Sequence, residues 1–160
     1  MRSGLAVLAL AVGATVTAAA AGMSSSGAIV RPCQAQVQKG VLPTWARGGF
    51  SDPETRIPHV LGRSQRIVGI LFGYPLLSPP RAGRNNKILW VAHKTPNASA
   101  LRIRAQRMNG TSPVGRPVTR KVSGGPGPSI INLPSSGCWR LTLRWSNRID
   151  SLDLRYLQRP

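Results

Sequence analysis

Acidic residues are nearly missing from this chain. Only 4 of its 160 residues are Asp or Glu, against 22 Lys or Arg, and the formal net charge is +18. The four carboxylates, Asp52, Glu54, Asp150 and Asp153, are a thin supply for chemistry that needs an acid and a base flanking one bond. Asp52 and Glu54 lie in a Ser-Asp-Pro-Glu turn, where a side chain that caps backbone N–H groups is the ordinary arrangement. Histidine is equally scarce: His59 and His93 have no partner at metal-ligand spacing, so neither a metal nor another cofactor is expected. The patterns G-x-S-x-G, H-E-x-x-H and G-x-x-x-x-G-K-[ST] do not occur. The Gly-Gly-Pro-Gly-Pro stretch at 124–128 lacks the Lys-Ser/Thr that would make it a phosphate cradle. These absences exclude the common hydrolase and nucleotide-binding sites, and a protein without enzymatic activity is expected. An exported hydrolase is the remote alternative, and it would need His59 hydrogen-bonded to a carboxylate in a cleft.

Long apolar runs are also lacking beyond the first twenty or so residues. None approaches the roughly 18–20 continuous apolar residues of a membrane span. The one apolar run is N-terminal. Met1-Arg2-Ser3 supplies positive charge, Leu5 to Val12 is unbroken hydrocarbon, and small residues follow to Ala21. That order predicts a secretory signal over 1–21, with an uncleaved anchor as the alternative. Either way the remainder is expected outside the cytoplasm, secreted or associated with the cell envelope, with no further span. Residues 22–40 are polar without a sustained period and read as a linker or a loosely held first strand. Residues 41–160 are expected to form one domain.

Cysteine is limited to Cys33 and Cys138. In an exported chain an even count predicts one bridge, two free thiols being the alternative. Val30-Arg31-Pro32 ahead of Cys33 does not make a lipid-attachment site. A Cys33–Cys138 bridge would tie the N-terminal segment to the last hairpin. Its loop of roughly 100 residues corresponds to about 4.7 kcal/mol in the chain-entropy treatment.

Glycine and proline are plentiful, 17 and 14 residues, and they cut the chain into short pieces. Seven candidate strands lie between the turn signals: 66–72, 87–92, 100–108, 118–122, 129–133, 137–145 and 149–157. Three of them alternate clearly. Leu101, Ile103 and Ala105 share one face against Arg102, Arg104 and Gln106; Trp139, Leu141, Leu143 and Trp145 oppose Arg140, Thr142 and Arg144; Leu152, Leu154 and Tyr156 oppose Ser151, Asp153 and Arg155. The predicted fold is all-β, a small antiparallel sandwich with one oily and one basic face. In the last hairpin, setting Leu143 opposite Leu152 puts Asn147-Arg148 in the turn, Thr142 opposite Asp153, and Arg140 opposite Arg155.

The candidate anion-binding residues are Arg102, Arg104, Arg140, Arg144 and Arg155. Once residues 1–21 are removed the charge is +17, and any anionic polymer or membrane surface would attract such a chain in a salt-dependent way. Arg outnumbers Lys 18 to 4, so a GC-rich coding sequence accounts for the same charge without a ligand. Trp90, Trp139 and Trp145 read as core, while the neighbourhood of Trp45 leaves its exposure open. Single-stranded nucleic acid needs basic and aromatic residues on one face. Here they take opposite faces, and no specific nucleic-acid partner is expected.

The segments Asn86–Val91, Leu101–Arg104 and above all Gly137-Cys138-Trp139-Arg140-Leu141-Thr142-Leu143-Arg144-Trp145 resemble a set of uncharacterised secreted bacterial proteins. In those proteins a Gly-Cys-Trp strand closes a small immunoglobulin-like β-sandwich. The resemblance spans roughly residues 41–157 and implies that fold, an envelope location and a high-GC bacterial host; it implies no activity. The function expected from all of this is a binding or scaffolding module at the cell envelope, its basic face on anionic wall polymer or lipid headgroups. The alternative is an extracellular protein-protein interaction domain with incidental charge, marked by an exposed apolar patch near Trp45 or Tyr74-Pro75.

Overall fold

The computed structural model describes residues 31–95 and 97–159, so the expected signal segment and residues 22–30 lie outside it. Nine strands are found among the described residues: β1 (His59–Leu61), β2 (Ile67–Leu71), β3 (Leu76–Ser78), β4 (Lys87–Ala92), β5 (Leu101–Asn109), β6 (Ser112–Val122), β7 (Pro128–Ile130), β8 (Gly137–Trp145) and β9 (Arg148–Gln158). One 3-10 turn, Thr44–Ala46, precedes them. They form two sheets, a four-stranded one in the order β1-β2-β4-β7 and a five-stranded one in the order β3-β9-β8-β5-β6. The seven strands expected from the pattern become nine because β1 and β3 are three-residue pieces beside Pro58, Pro75 and Pro79, too short to show a period. The expected all-antiparallel pairing has one exception: β3 runs parallel to β9, with Leu76 opposite Tyr156.

Both sheets turn their oily faces to one core. Ile67, Leu71, Ile88 and Trp90 come from the first sheet, and Leu101, Ile103, Trp139, Leu141, Leu143, Leu152 and Leu154 from the second. Period-two geometry is the cause, since successive side chains leave a strand on opposite sides. Strand β2 breaks the alternation, and all five of its residues are buried. Its outer face carries Val68 and Ile70, which are covered by Leu42 and Ala46 from the chain ahead of β1. A strand covered on both sides reads as a continuous apolar run. Two of the core indoles are anchored by their polar ends: Trp90 Nε1 donates to Ser129 Oγ at 2.9 Å and Trp139 Nε1 to the Ser135 carbonyl at 2.9 Å. Tyr156 Oη donates to the Ile131 carbonyl at 2.6 Å, and burial pushes its hydroxyl pKa upward, against the nearby charge of Arg120.

The β8–β9 hairpin differs in register from the sequence reading. Its turn is Ser146-Asn147, both with positive φ (44° and 59°), the requirement of a type I′ connection. Trp145 then pairs with Arg148, Leu143 with Asp150, Leu141 with Leu152, and Arg140 with Asp153. The slip is two residues, so every side chain keeps its face. The expected Arg140–Arg155 juxtaposition does not exist, because Arg155 lies opposite Cys138.

Cys33 and Cys138 are bridged, with Cα atoms 6.0 Å apart across a sequence separation of 105. The segment behind Cys33 is held along its length. Gln34 N donates to Asp153 Oδ2 at 3.0 Å, Gln38 bridges His59 and Val41 bridges Arg56. Val37 packs on the core.

Candidate anion-binding site

The outer face of the five-stranded sheet gathers the cations. Its registers place Arg102 directly opposite Arg144 on β8 and Lys121 on β6, so Lys121, Arg102 and Arg144 form one row across three strands. Directly opposed side chains in such a ladder have Cβ atoms about 4.5–5.5 Å apart. The next row is Thr119, Arg104, Thr142 and Ser151, three hydroxyls around a guanidinium. Arg102, Arg104, Lys121 and Arg144 are all exposed. None of the ion pairs found among the described residues reaches these four side chains. Planar guanidinium forks beside hydroxyl groups suit phosphate, sulfate and carboxylate oxygens, which accept two parallel N–H bonds from one arginine.

Three of the five sequence candidates therefore meet, and two do not. Arg140 is committed elsewhere: its Nε donates to Asp153 Oδ1 at 2.9 Å and its Nη2 to Asp153 Oδ2 at 3.2 Å, while Nη2 also reaches the Arg31 carbonyl at 2.8 Å. Arg63 Nη2 approaches the same Asp153 Oδ2 at 2.9 Å. Asp153 is thus a buried hub joining the N-terminal segment, the β1–β2 loop and β8. Burial raises the pKa of its carboxyl, but the hydrogen bonds from Arg140 and Gln34 and the charges of Arg140 and Arg63 outweigh burial and hold it below the ordinary value. Arg155 sits beside the disulfide and lines an apolar groove of about 270 Å³ with Ala35, Val37, Tyr74, Pro75 and Leu157. Lys121 and the hydroxyls of Thr119, Thr142 and Ser151 were not singled out by the pattern. Their membership follows only from the β5–β6, β5–β8 and β8–β9 registers.

The groups weighed for catalysis are dispersed. Asp150 accepts the backbone N–H groups of Ser64, Arg66 and Ser151 at 2.9, 3.0 and 2.7 Å. Asp52 caps the Glu54 N–H at 2.8 Å, and Glu54 pairs loosely with Arg56. His59 is fully buried, its Nδ1 is 2.8 Å from the Ile57 carbonyl, and its Nε2 has no partner among the described residues. The ring of His93 lies 5.2 Å from that of Trp45, which is half-buried against the second core. A further cleft, about 570 Å³, opens under the N-terminal segment, where Gln34, Gln36 and Gln38 face Leu61, Arg63 and Asp153. Comparison of the chain with models of protein families, with curated proteins and with solved structures found no match among any of the three.

Proposed function

We propose that the protein is an exported, non-enzymatic binding or scaffolding module of the cell envelope. In this reading the outer face of its five-stranded sheet adsorbs to anionic wall polymer or lipid headgroups. The observation that carries it is the row Lys121, Arg102 and Arg144, three like charges brought side by side by two independent registers. Like charges directly opposite one another destabilise a sheet, and an anion that bridges them removes that repulsion. The Cys33–Cys138 bridge supports an oxidising compartment outside the cytoplasm. No helix among the described residues is long and apolar enough to cross a membrane.

The strand order supports an immunoglobulin-like type. The run β9-β8-β5-β6 corresponds to the G-F-C-C′ neighbours of a variable-type domain, and β2-β4-β7 to A-B-E in the facing sheet. This agrees with the kinship to secreted sandwich proteins suggested by the Gly137-Cys138-Trp139 strand. The test of function is retention on anionic wall polymer and on phosphatidylglycerol vesicles over a salt series. Strong binding at low salt that falls steeply by physiological ionic strength and above is expected. Absent binding at low salt, or binding indifferent to salt, rejects the reading. It would favour the rival one, an extracellular protein-protein domain using the exposed Tyr74 and Leu157 beside the apolar groove.

A further inference from the structure

A second cationic feature lies at one end of the sandwich, where three distant segments meet. Strand β2 starts just after Arg66, β4 stops just before His93, and β9 begins at Arg148. The pairing of Ile67 with Ala92 brings the first two together, and His93 N donates to the Arg66 carbonyl at 2.9 Å. Arg66, His93, Lys94 and Arg148 line a pocket of about 270 Å³. Every side chain in that lining is cationic or can donate an N–H, and none is acidic. The carboxylate nearest in sequence, Asp150, is taken up by backbone N–H groups, that of Arg66 included.

The pocket is under-satisfied as it stands. Arg148 Nε is buried and has no hydrogen-bond partner among the described residues. Buried donors in native proteins are almost always paired, and convergent like charges repel one another. One bound anion would answer both. His93 is held beside the indole of Trp45, with ring centroids 5.2 Å apart, so its ring orientation at the mouth is restricted.

We propose that this pocket is a binding site for a single tetrahedral oxyanion, the phosphate or sulfate group of a small ester or of a larger molecule's terminus. The Arg148 guanidinium supplies a planar fork to two oxygens, and Arg66, Lys94 and His93 supply N–H donors to the others. The site differs from the sheet face in residues and in kind, because it is a concave pocket that takes one group. The sheet face is a flat array that adsorbs many.

The experiment is an NMR titration of the disulfide-bonded chain with inorganic phosphate, and separately with sulfate, at 150 mM NaCl. Exposed charges are then screened over about 8 Å. Saturable shifts at His93, Lys94 and Arg148 are expected. Arg148→Gln should weaken the binding at least tenfold, and Lys94→Gln, at an exposed position where folding is not at stake, at least threefold. The double variant Lys39→Gln/Arg81→Gln, two exposed cations in neither the pocket nor the sheet-face row, should bind phosphate as the parent does. Non-saturating shifts, unchanged affinity in both pocket variants, or loss of binding in the control double variant would each overturn the assignment. Soluble glycerol phosphate and phosphatidic-acid vesicles, each competed against inorganic phosphate, separate the two sources of the group. Displacement by the soluble ester alone supports a free or polymer-borne phosphate, displacement by both supports a lipid headgroup as well, and displacement by neither overturns the site. Failure here leaves adsorption by the sheet face intact, since that rests on other residues.

Discussion

Replacing Arg102 with threonine should make the protein more stable while making it a poorer binder. Arg102 stands between Arg144 and Lys121 in the same cross-strand row, so the substitution removes two direct like-charge contacts and leaves a residue that favours strands. Each such contact is worth about 0.2–1 kcal/mol, which gives a gain of about 0.5–2 kcal/mol. For a domain of this size that is a rise in Tm of roughly 2–8 °C. The internal control is Arg104→Thr. Arg104 faces Thr119 and Thr142 and meets other cations only on the diagonals, about 7–8 Å away, and along its own strand at Arg102, with none directly opposite, so its gain should be much smaller. Thermal melts of the disulfide-bonded variants at low salt and in 1 M NaCl decide the matter. At 1 M the screening length is about 3 Å, and the advantage of Arg102→Thr should shrink there. The reasoning is refuted if Arg102→Thr is neutral or destabilising at low salt, or if Arg104→Thr gains as much. The same Arg102→Thr variant should lose about 1 kcal/mol of attraction to an anionic lipid surface, roughly a fivefold drop in partitioning.

Three further predictions concern residues that hold the fold together. Asp153→Asn should destabilise by about 2–3 kcal/mol at pH 7, because it leaves the largely buried Arg140 guanidinium without its counter-ion, while the partly exposed Arg63 is screened by solvent and adds little. The folded pKa of Asp153 lies below its unfolded value, so the stabilisation is complete above about pH 5 and is lost as pH falls below about 3.9 toward the folded value. Denaturation of parent and variant across pH 3–7 should show the difference closing toward acid, and a constant difference contradicts the ion-pair explanation. Asn86→Ala should destabilise by about 2–3 kcal/mol in urea denaturation. Its buried amide both accepts from the Leu77 N–H and donates to the Leu77 carbonyl, at 2.9 and 2.8 Å, substituting for a strand neighbour of β3; a loss under 0.5 kcal/mol would show that the amide is dispensable. Gly62→Ala should destabilise by about 1–3 kcal/mol, because its added methyl would overlap the buried Asp150 carboxylate; unchanged stability would mean that the β1–β2 loop moves freely away from β9.

Seven of the strands were legible because their own residues carry the signal. In β5, β8 and β9 the alternation of Leu, Ile and Trp with Arg and Thr fixes which side each residue takes, and burial follows that parity as far as Ala105 in β5, through β8, and in β9 except at Asp153, which is covered by Gln34, Arg63 and Arg140. Strands β1 and β3 offer no such signal at three residues each; β3 is defined by what it touches, β9 on one edge and the Asn86 amide on the other. The hairpin register was missed for a related reason. A slip of two residues leaves every face unchanged, and only the positive φ at Ser146 and Asn147 separates the true turn from its neighbour. That slip decided the fate of Arg140, which pairs with Asp153 rather than facing Arg155. In the N-terminal segment, Gln34-Ala35-Gln36-Val37-Gln38 is a short alternation whose meaning comes from its setting. The glutamines line one cleft, and Ala35 and Val37 line the groove on the other side. The end pocket was beyond reach of the sequence, since Arg66, His93 and Arg148 are brought together only by the pairing of β2 with β4 and the return of β9.

The central claim is that position, rather than total charge, makes this protein bind anionic surfaces. The direct measurement compares two variants of equal net charge on phosphatidylglycerol vesicles at low salt. One carries Arg102, Arg104, Lys121 and Arg144 changed to Gln; the other carries Lys39, Arg56, Arg81 and Lys87, exposed cations outside the five-stranded sheet, changed to Gln. At about 1 kcal/mol per cation the sheet-face variant should lose close to three orders of magnitude in partitioning, while the matched variant stays within about tenfold of the parent. Equal losses in the two would contradict the account and leave the arginines as a feature of composition.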